Sequence, residues 1–149
     1  MIRIACLAIG YVFGLFQTSY LYGRMNGIDI REHGSGNAGA TNALRTLGKK
    51  AGAITFFGDC FKCVFAVIAV RLLFRNYGDP SENTGGLFGM YASMGVILGH
   101  NFPFYLGFKG GKGIAATAGL FVSLDPVLMV IAAVSFVLSK PLADRYLGA

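Results

Sequence analysis

The sequence predicts an all-α integral membrane protein, a polytopic bundle of about four to five membrane segments that includes short or broken helices. Three observations carry this reading. Only 13% of the 149 residues are charged while 54% are hydrophobic, and the mean hydropathy is +0.59; soluble domains run nearer a quarter charged. Uncharged runs recur at lengths that suit a bilayer core, which a helix of about 20 residues crosses. The polar stretches between those runs are rich in glycine, which reaches 22 residues. The length leaves room for one membrane domain, 1–149.

The first expected span is 4–23, uncharged, with Tyr20 and Tyr22 at the end where aromatic belts lie. Its leading segment holds only Arg3 and no small-x-small cleavage site, so it reads as a retained helix and not a signal peptide. A polar motif loop, 24–50, follows, in which Thr41 or Asn42 is placed to cap a short helix running through Arg45 to Lys50. The second span, 51–74, is interrupted by Asp59 and Lys62. Their spacing puts both on one helix face, where they can pair with each other or serve a site.

The stretch 75–86 reads as a turn-rich connector. The third span is 87–108, with Pro103 ending its regular helix. A second motif loop lies over 99–113. The last expected segment, 114–139, consists of two short apolar runs parted by Asp125-Pro126: either one kinked span, or a half-helix and a second tilted one. A half-helix starting after Gly113 would aim its positive end at an anion held by the loops. Lys140 to Ala149 reads as a short polar tail.

Charge gives the expected orientation. The loop 24–50 has five basic residues against two acidic ones, 109–113 has Lys109 and Lys112, and 75–86 has Arg75 against Asp79 and Glu82. The positive-inside rule therefore puts both motif loops in the cytoplasm and the N-terminus outside.

The two loops carry the chemistry. Gly34-Ser35-Gly36-Asn37-Ala38-Gly39-Ala40-Thr41-Asn42 is followed three residues later by Arg45. Its glycines let the backbone approach a ligand, Ser35, Asn37, Thr41 and Asn42 offer hydrogen bonds to oxygens, and Arg45 offers a planar fork. Downstream, His100 and Asn101 precede Lys109-Gly110-Gly111-Lys112-Gly113. Backbone N–H groups with cations at one place make a phosphate site. The bland account is also open: packing glycines, and lysines that only set topology. Histidine 100 has two readings as well, a substrate-orienting group or base, and a cap at the end of the third span.

Several classes are excluded or disfavoured. The lysine loop lacks the glycine spacing and the Ser/Thr of a Walker A, and no strand pattern accompanies it. The basic residues form no clustered face of the kind nucleic-acid binders show. Cys60 and Cys63 match a C-x-x-C spacing without a second pair or a nearby histidine; with Cys6 they read as small packing residues, and no metal or cofactor is expected.

The run from His33 to Arg45, followed by Gly99-His-Asn-Phe-Pro-Phe-Tyr-Leu-Gly-Phe-Lys-Gly-Gly-Lys-Gly113, resembles the bacterial membrane glycerol-3-phosphate acyltransferases that use acyl phosphate as donor. The resemblance implies transfer of a fatty acyl group to the 1-hydroxyl of glycerol 3-phosphate, giving lysophosphatidic acid and phosphate, the first step of phospholipid synthesis. It implies a multi-pass protein of the bacterial inner membrane, with acyl phosphate, glycerol 3-phosphate, the bilayer and the soluble enzyme that makes acyl phosphate as expected partners. On it, Ser35, Arg45 and His100 are expected to be catalytic. Gly36, Asn37, Gly39, Thr41, Asn42, Lys109, Gly110, Gly111, Lys112 and Gly113 are expected to bind substrate. The chemistry agrees with this: acyl phosphate is already activated, so a site need mainly hold two phosphates and a hydroxyl and stabilise charge on a carbonyl oxygen.

The family carries a third motif, a histidine with an asparagine three residues on and then Arg and Gly-x-Glu, and no such motif follows Pro126. A truncated sequence or a shortened relative is expected from this. Ala38 replaces a proline of the first motif. The rival function is a non-catalytic membrane protein that binds a phosphorylated lipid or metabolite.

Overall fold

A computed structural model describes residues 1–77 and 84–147, with side chains given up to 138 apart from 126 and 136. Residues 78–83 of the expected connector, with Asp79 and Glu82, lie outside the described residues. The described chain is helical throughout. Its α-helices are α1 (Ile2–Gly14), α2 (Thr18–Met25), α3 (Ala40–Leu47), α4 (Lys49–Leu73), α5 (Thr84–Asn101), α6 (Ile114–Leu124) and α7 (Pro126–Leu147).

Helices α1 and α5 run parallel and in close contact. A Cβ added at Gly10, Gly14, Gly95 or Gly99 would meet the backbone of the facing helix, at Ala92, Val96, Leu7 and Tyr11 respectively. Two small-xxx-small pairs thus let the backbones touch, the usual device where lipid removes the hydrophobic drive between helices. Helix α4 crosses both in the opposite sense. Near its C-terminal end Val70 packs with Cys6, Phe88 and Ala92, and nearer its middle Cys63 and Ala66 pack with Val96 and Ala116. Helix α6 lies along α4, with Gly119 against the carbonyl of Cys60. The three cysteines are free and buried.

Four expectations about the elements are corrected. The first span is broken over residues 15–17, so α1 and α2 replace the single helix expected over 4–23. No proline causes the break; tertiary bonds described below hold it. The short helix over the first motif is not capped by Thr41 or Asn42. Gly39 occupies the cap position without a side-chain bond, and the helix ends at Leu47, where Gly48 at φ +88° turns the chain into α4. Glycine alone takes that conformation cheaply. The third span ends at Asn101 and not 108; Pro103 begins a loop with a 3-10 turn over Phe104–Leu106.

The expected segment 114–139 is two helices. Asp125 sits in extended conformation and its Oδ1 accepts from the N–H groups of Val127 (2.9 Å) and Leu128 (3.3 Å). That is an N-cap followed by proline at the first helical position, a stop and a new start in two residues. Helix α7 then runs on to Leu147, so residues 140–147 are helix and not a polar tail.

Candidate active site

Both motif loops lie at one end of the bundle and are bonded to each other. The N–H of Ala38 donates to Gly110 O (3.4 Å), and Arg31 Nη1 donates to Leu106 O (3.0 Å). Ala38 is fully buried; a proline there could not donate this bond. Arg31 is itself held by a bidentate pair with Asp29 (2.7 and 3.0 Å) and lies 5.1 Å over the ring of Tyr20. The Arg31 guanidinium holds the Asp29 carboxyl below its ordinary range.

Within the first loop, Asn42 is the organiser. Its Nδ2 donates to Ile30 O (3.0 Å) and His33 O (2.9 Å), and its Oδ1 accepts from Ser35 N (2.9 Å). Asn42, expected to bind substrate, borders the cavity described below, but both of its amide hydrogens are used within the loop and its side chain is buried. Gly34 (φ +59°) and Gly36 (φ +71°) take left-handed backbone on either side of Ser35.

In the second loop the paired glycines answer to a close approach. The N–H groups of Gly110 and Gly111 donate to Asn101 O (3.2 Å) and His100 O (3.0 Å), closing the last turn of α5. A Cβ at Gly110 would strike His100 O, and one at Gly111 would strike the imidazole at Nε2. Gly113, at φ +74°, starts α6.

Between the loops lies a cavity of about 370 Å³. Ser35, Asn37, Ala40, Thr41, Asn42 and Arg45 line it from the first motif, Lys112 from the second, and His100 and Asp59 from its inner end. Phe56, Ile114 and Ala115 supply an apolar wall, and the first turn of α6 opens into the same space. The sequence-predicted residues Ser35, Asn37, Thr41, Asn42, Arg45, His100 and Lys112 therefore meet at one cavity. Gly36, Gly39, Gly110, Gly111 and Gly113 shape the backbone around it. Lys109 is exposed and is not among the lining residues.

The inner end holds a buried polar cluster that sequence reasoning found only in part. Lys62 Nζ is 3.0 Å from Asp59 Oδ1 and 2.8 Å from His100 Nδ1, and donates to Phe16 O (2.7 Å) and Gly14 O (3.4 Å). Asp59 Oδ1 accepts from Thr18 Oγ1 (3.0 Å). Gln17 Nε2 donates to His100 O at 2.9 Å, and Tyr105 Oη to Leu15 O at 2.7 Å. Carbonyls freed by the α1–α2 break thus all find donors, which backbone at membrane depth requires. The cation faces the negative end of α1, and the carboxylate faces the positive end of α2. The i, i+3 spacing revealed the Asp59–Lys62 pair; nothing local announced its third member, His100.

The fold and this cavity define a polytopic helical membrane protein with a donor-rich, cationic pocket at one end of its bundle. Residues 4–145 match the family described as Glycerol-3-phosphate acyltransferase, and the chain belongs to that family. Relatives named glycerol-3-phosphate acyltransferase include those of Clostridioides difficile (43% identical over 91% of this chain and 65% of the relative), Alkaliphilus metalliredigens (44%, 91% and 64%) and Geobacter sulfurreducens (39%, 95% and 68%). The chain thus spans about 65% of the length of the curated relatives it matches.

Two crystal structures of PlsY, an integral membrane glycerol 3-phosphate acyltransferase, are similar. The glycerol 3-phosphate form aligns at TM-score 0.76 and 29% identity over 95% of this chain and 65% of that one. The lysophosphatidic acid form aligns at 0.73 and 28% over 89% and 61%.

Proposed function

We propose that this chain transfers a fatty acyl group from acyl phosphate to the 1-hydroxyl of glycerol 3-phosphate. The hydroxyl oxygen bonds to the acyl carbon, the carbon–oxygen bond to phosphate breaks, and the hydroxyl proton ends on a phosphate oxygen. The products are lysophosphatidic acid and inorganic phosphate, which places the reaction at the start of phospholipid synthesis. The observation that carries the proposal is the meeting of Arg45 and Lys112 with Ser35 and Asn37 at one cavity beside the start of α6. Two cations, neutral donors and a helix N-terminus are what two phosphate groups need. The apolar wall of Phe56 and Ile114 suits an acyl chain arriving from the bilayer. Membership of the family supports the same reaction.

Arg45 and Lys112 hold phosphate, Ser35 and Asn37 donate to phosphate or to the carbonyl oxygen, and His100 orients a substrate. No cofactor takes part. The protein lies in the bacterial inner membrane with its motif loops in the cytoplasm and its N-terminus outside, following the charge of the loops. A soluble enzyme that makes acyl phosphate would supply the donor.

The test is acyl transfer by the purified chain in detergent micelles, given palmitoyl phosphate and labelled glycerol 3-phosphate. Lysophosphatidic acid is expected from wild type and not from Arg45→Ala. Lys112→Ala should lower kcat/KM by about 10- to 100-fold, the value of a charge-assisted hydrogen bond, with little change in thermal midpoint. A folded wild type that binds glycerol 3-phosphate and forms no product would overturn the proposal, leaving a fragment of an enzyme or the rival, a binding protein without turnover.

A further inference from the structure

The inner end of the cavity fixes more than the position of His100. An ammonium has only hydrogens to offer. With Lys62 Nζ at 2.8 Å, the Nδ1 of His100 is the acceptor of that bond, so the imidazole proton resides on Nε2. Lys62 is 4% exposed, and its other two hydrogens face Asp59 Oδ1 at 3.0 Å and Phe16 O at 2.7 Å, with Gly14 O a more distant neighbour at 3.4 Å. The main chain of His100 is locked as well, its carbonyl accepting from Gln17 Nε2 and Gly111 N. The Nε2 edge of the ring lies against Gly111, at the turn that leads to Lys112.

We infer that Lys62 is a positioning residue that holds His100 as the Nε2–H tautomer, making His100 a hydrogen-bond donor to an oxygen in the cavity and not a proton acceptor. The role in turnover rests on the proposed acyl transfer; the tautomer does not. If His100 donates, the proton of the attacking hydroxyl must go to a phosphate oxygen, with Nε2–H left to orient that oxygen or the acyl carbonyl.

The chain carries its own reference. Its other histidine, His33, has Nδ1 2.9 Å from the carbonyl of Asp29, an acceptor only, so His33 is the opposite tautomer. The experiment is long-range proton–nitrogen correlation NMR of the intact chain, labelled with nitrogen-15 histidine, in micelles at alkaline pH. Wild type should show one Nε2–H and one Nδ1–H imidazole, assigned by His33→Gln. Asp59→Asn, which keeps the lysine donor, should leave His100 as Nε2–H. Lys62→Met should move it to Nδ1–H, directed at Asp59, whose Oδ1 lies 3.8 Å away. Should Lys62→Met not fold, Asp59→Leu/Lys62→Met removes both charges, and the His100 signal should then divide between two tautomers.

A wild type with His100 as Nδ1–H overturns the inference. So does an unchanged Nε2–H signal in either lysine variant. Because the spectrum needs no substrate, absent turnover alongside the expected tautomers would sink the acyl-transfer reading alone.

Discussion

Helices α1, α4 and α5 build two different interiors at their two ends, the second completed by the break after α1 and the first residue of α2. At one end the contacts are Cys6, Val70, Phe88 and Ala92, apolar and closed. At the other they are Gln17, Thr18, Asp59, Lys62 and His100, each of them 9% exposed or less. The first interior is held by shape, since apolar side chains gain little in leaving lipid for one another. The second is held by charge and directed bonds in a medium that punishes any group left without a partner. The lesson is that stability and site are separated along the helix axis. A substitution at the apolar end should cost in proportion to misfit, while one at the polar end should cost according to what it leaves unpaired.

The largest effect is expected where that rule is broken outright. Lys62→Met strands Asp59 and the carbonyls of Gly14 and Phe16, and should lose about 3–5 kcal/mol, the usual cost of halving a buried pair. The double variant Asp59→Leu/Lys62→Met should be more stable than the single one, although it removes more native groups. Thermal unfolding in micelles reads both. A double variant weaker than Lys62→Met would mean that the cluster is not an electrostatic unit.

A middle effect sharpens the other side of the comparison. Gly95→Ala adds one carbon directly against the backbone of Leu7 and Tyr11. It should cost about 1–3 kcal/mol, as overpacking does, despite the better helix propensity of alanine. Gly85→Ala, with open space around its Cβ position, is the control in the same helix and should not lower the midpoint. Equal effects at the two positions would show that α1 and α5 are not in backbone contact.

The smallest effect lies outside the bundle. Asp29→Asn weakens the anchor of Arg31 and should cost under about 1 kcal/mol, the range of partly exposed pairs. The sign of its pH dependence is fixed. Because the folded-state carboxyl titrates below its ordinary 3.8, its contribution is complete above that value and fades as pH falls through the lowered one. Wild type and Asp29→Asn should therefore differ in midpoint near neutrality and converge in acid.

Much of this was legible in the sequence, and the failures share a cause. The loops were readable because their chemistry is local: glycines, donors and cations stand together between apolar runs, and Asp125-Pro126 announces both a stop and a start. Lys109 and Lys112 read alike in sequence, yet only Lys112 lines the cavity. Asn42 reads as a ligand because amides bind oxygens, and it does border the cavity; the sequence did not show that its amide is also spent on its own loop. The break at 15–17 carries no local signal, for it exists only when Lys62, Gln17 and Tyr105 arrive to satisfy its carbonyls. The glycine pairs of α1 and α5 read as generic small residues until the two helices are seen side by side, about eighty residues apart in the chain.

The spacing of Asp59 and Lys62 has a consequence for how this protein is made. Their partner His100 is synthesised 38 residues after Lys62, so α4 must enter the bilayer before the cluster exists. Carrying both charges one turn apart on a single helix lets that helix bring its own counter-ion, so that its stretch between Lys50 and Arg71 passes from ribosome to lipid with no net charge. The pair that later serves the cavity is, at insertion, what makes the helix admissible to the membrane.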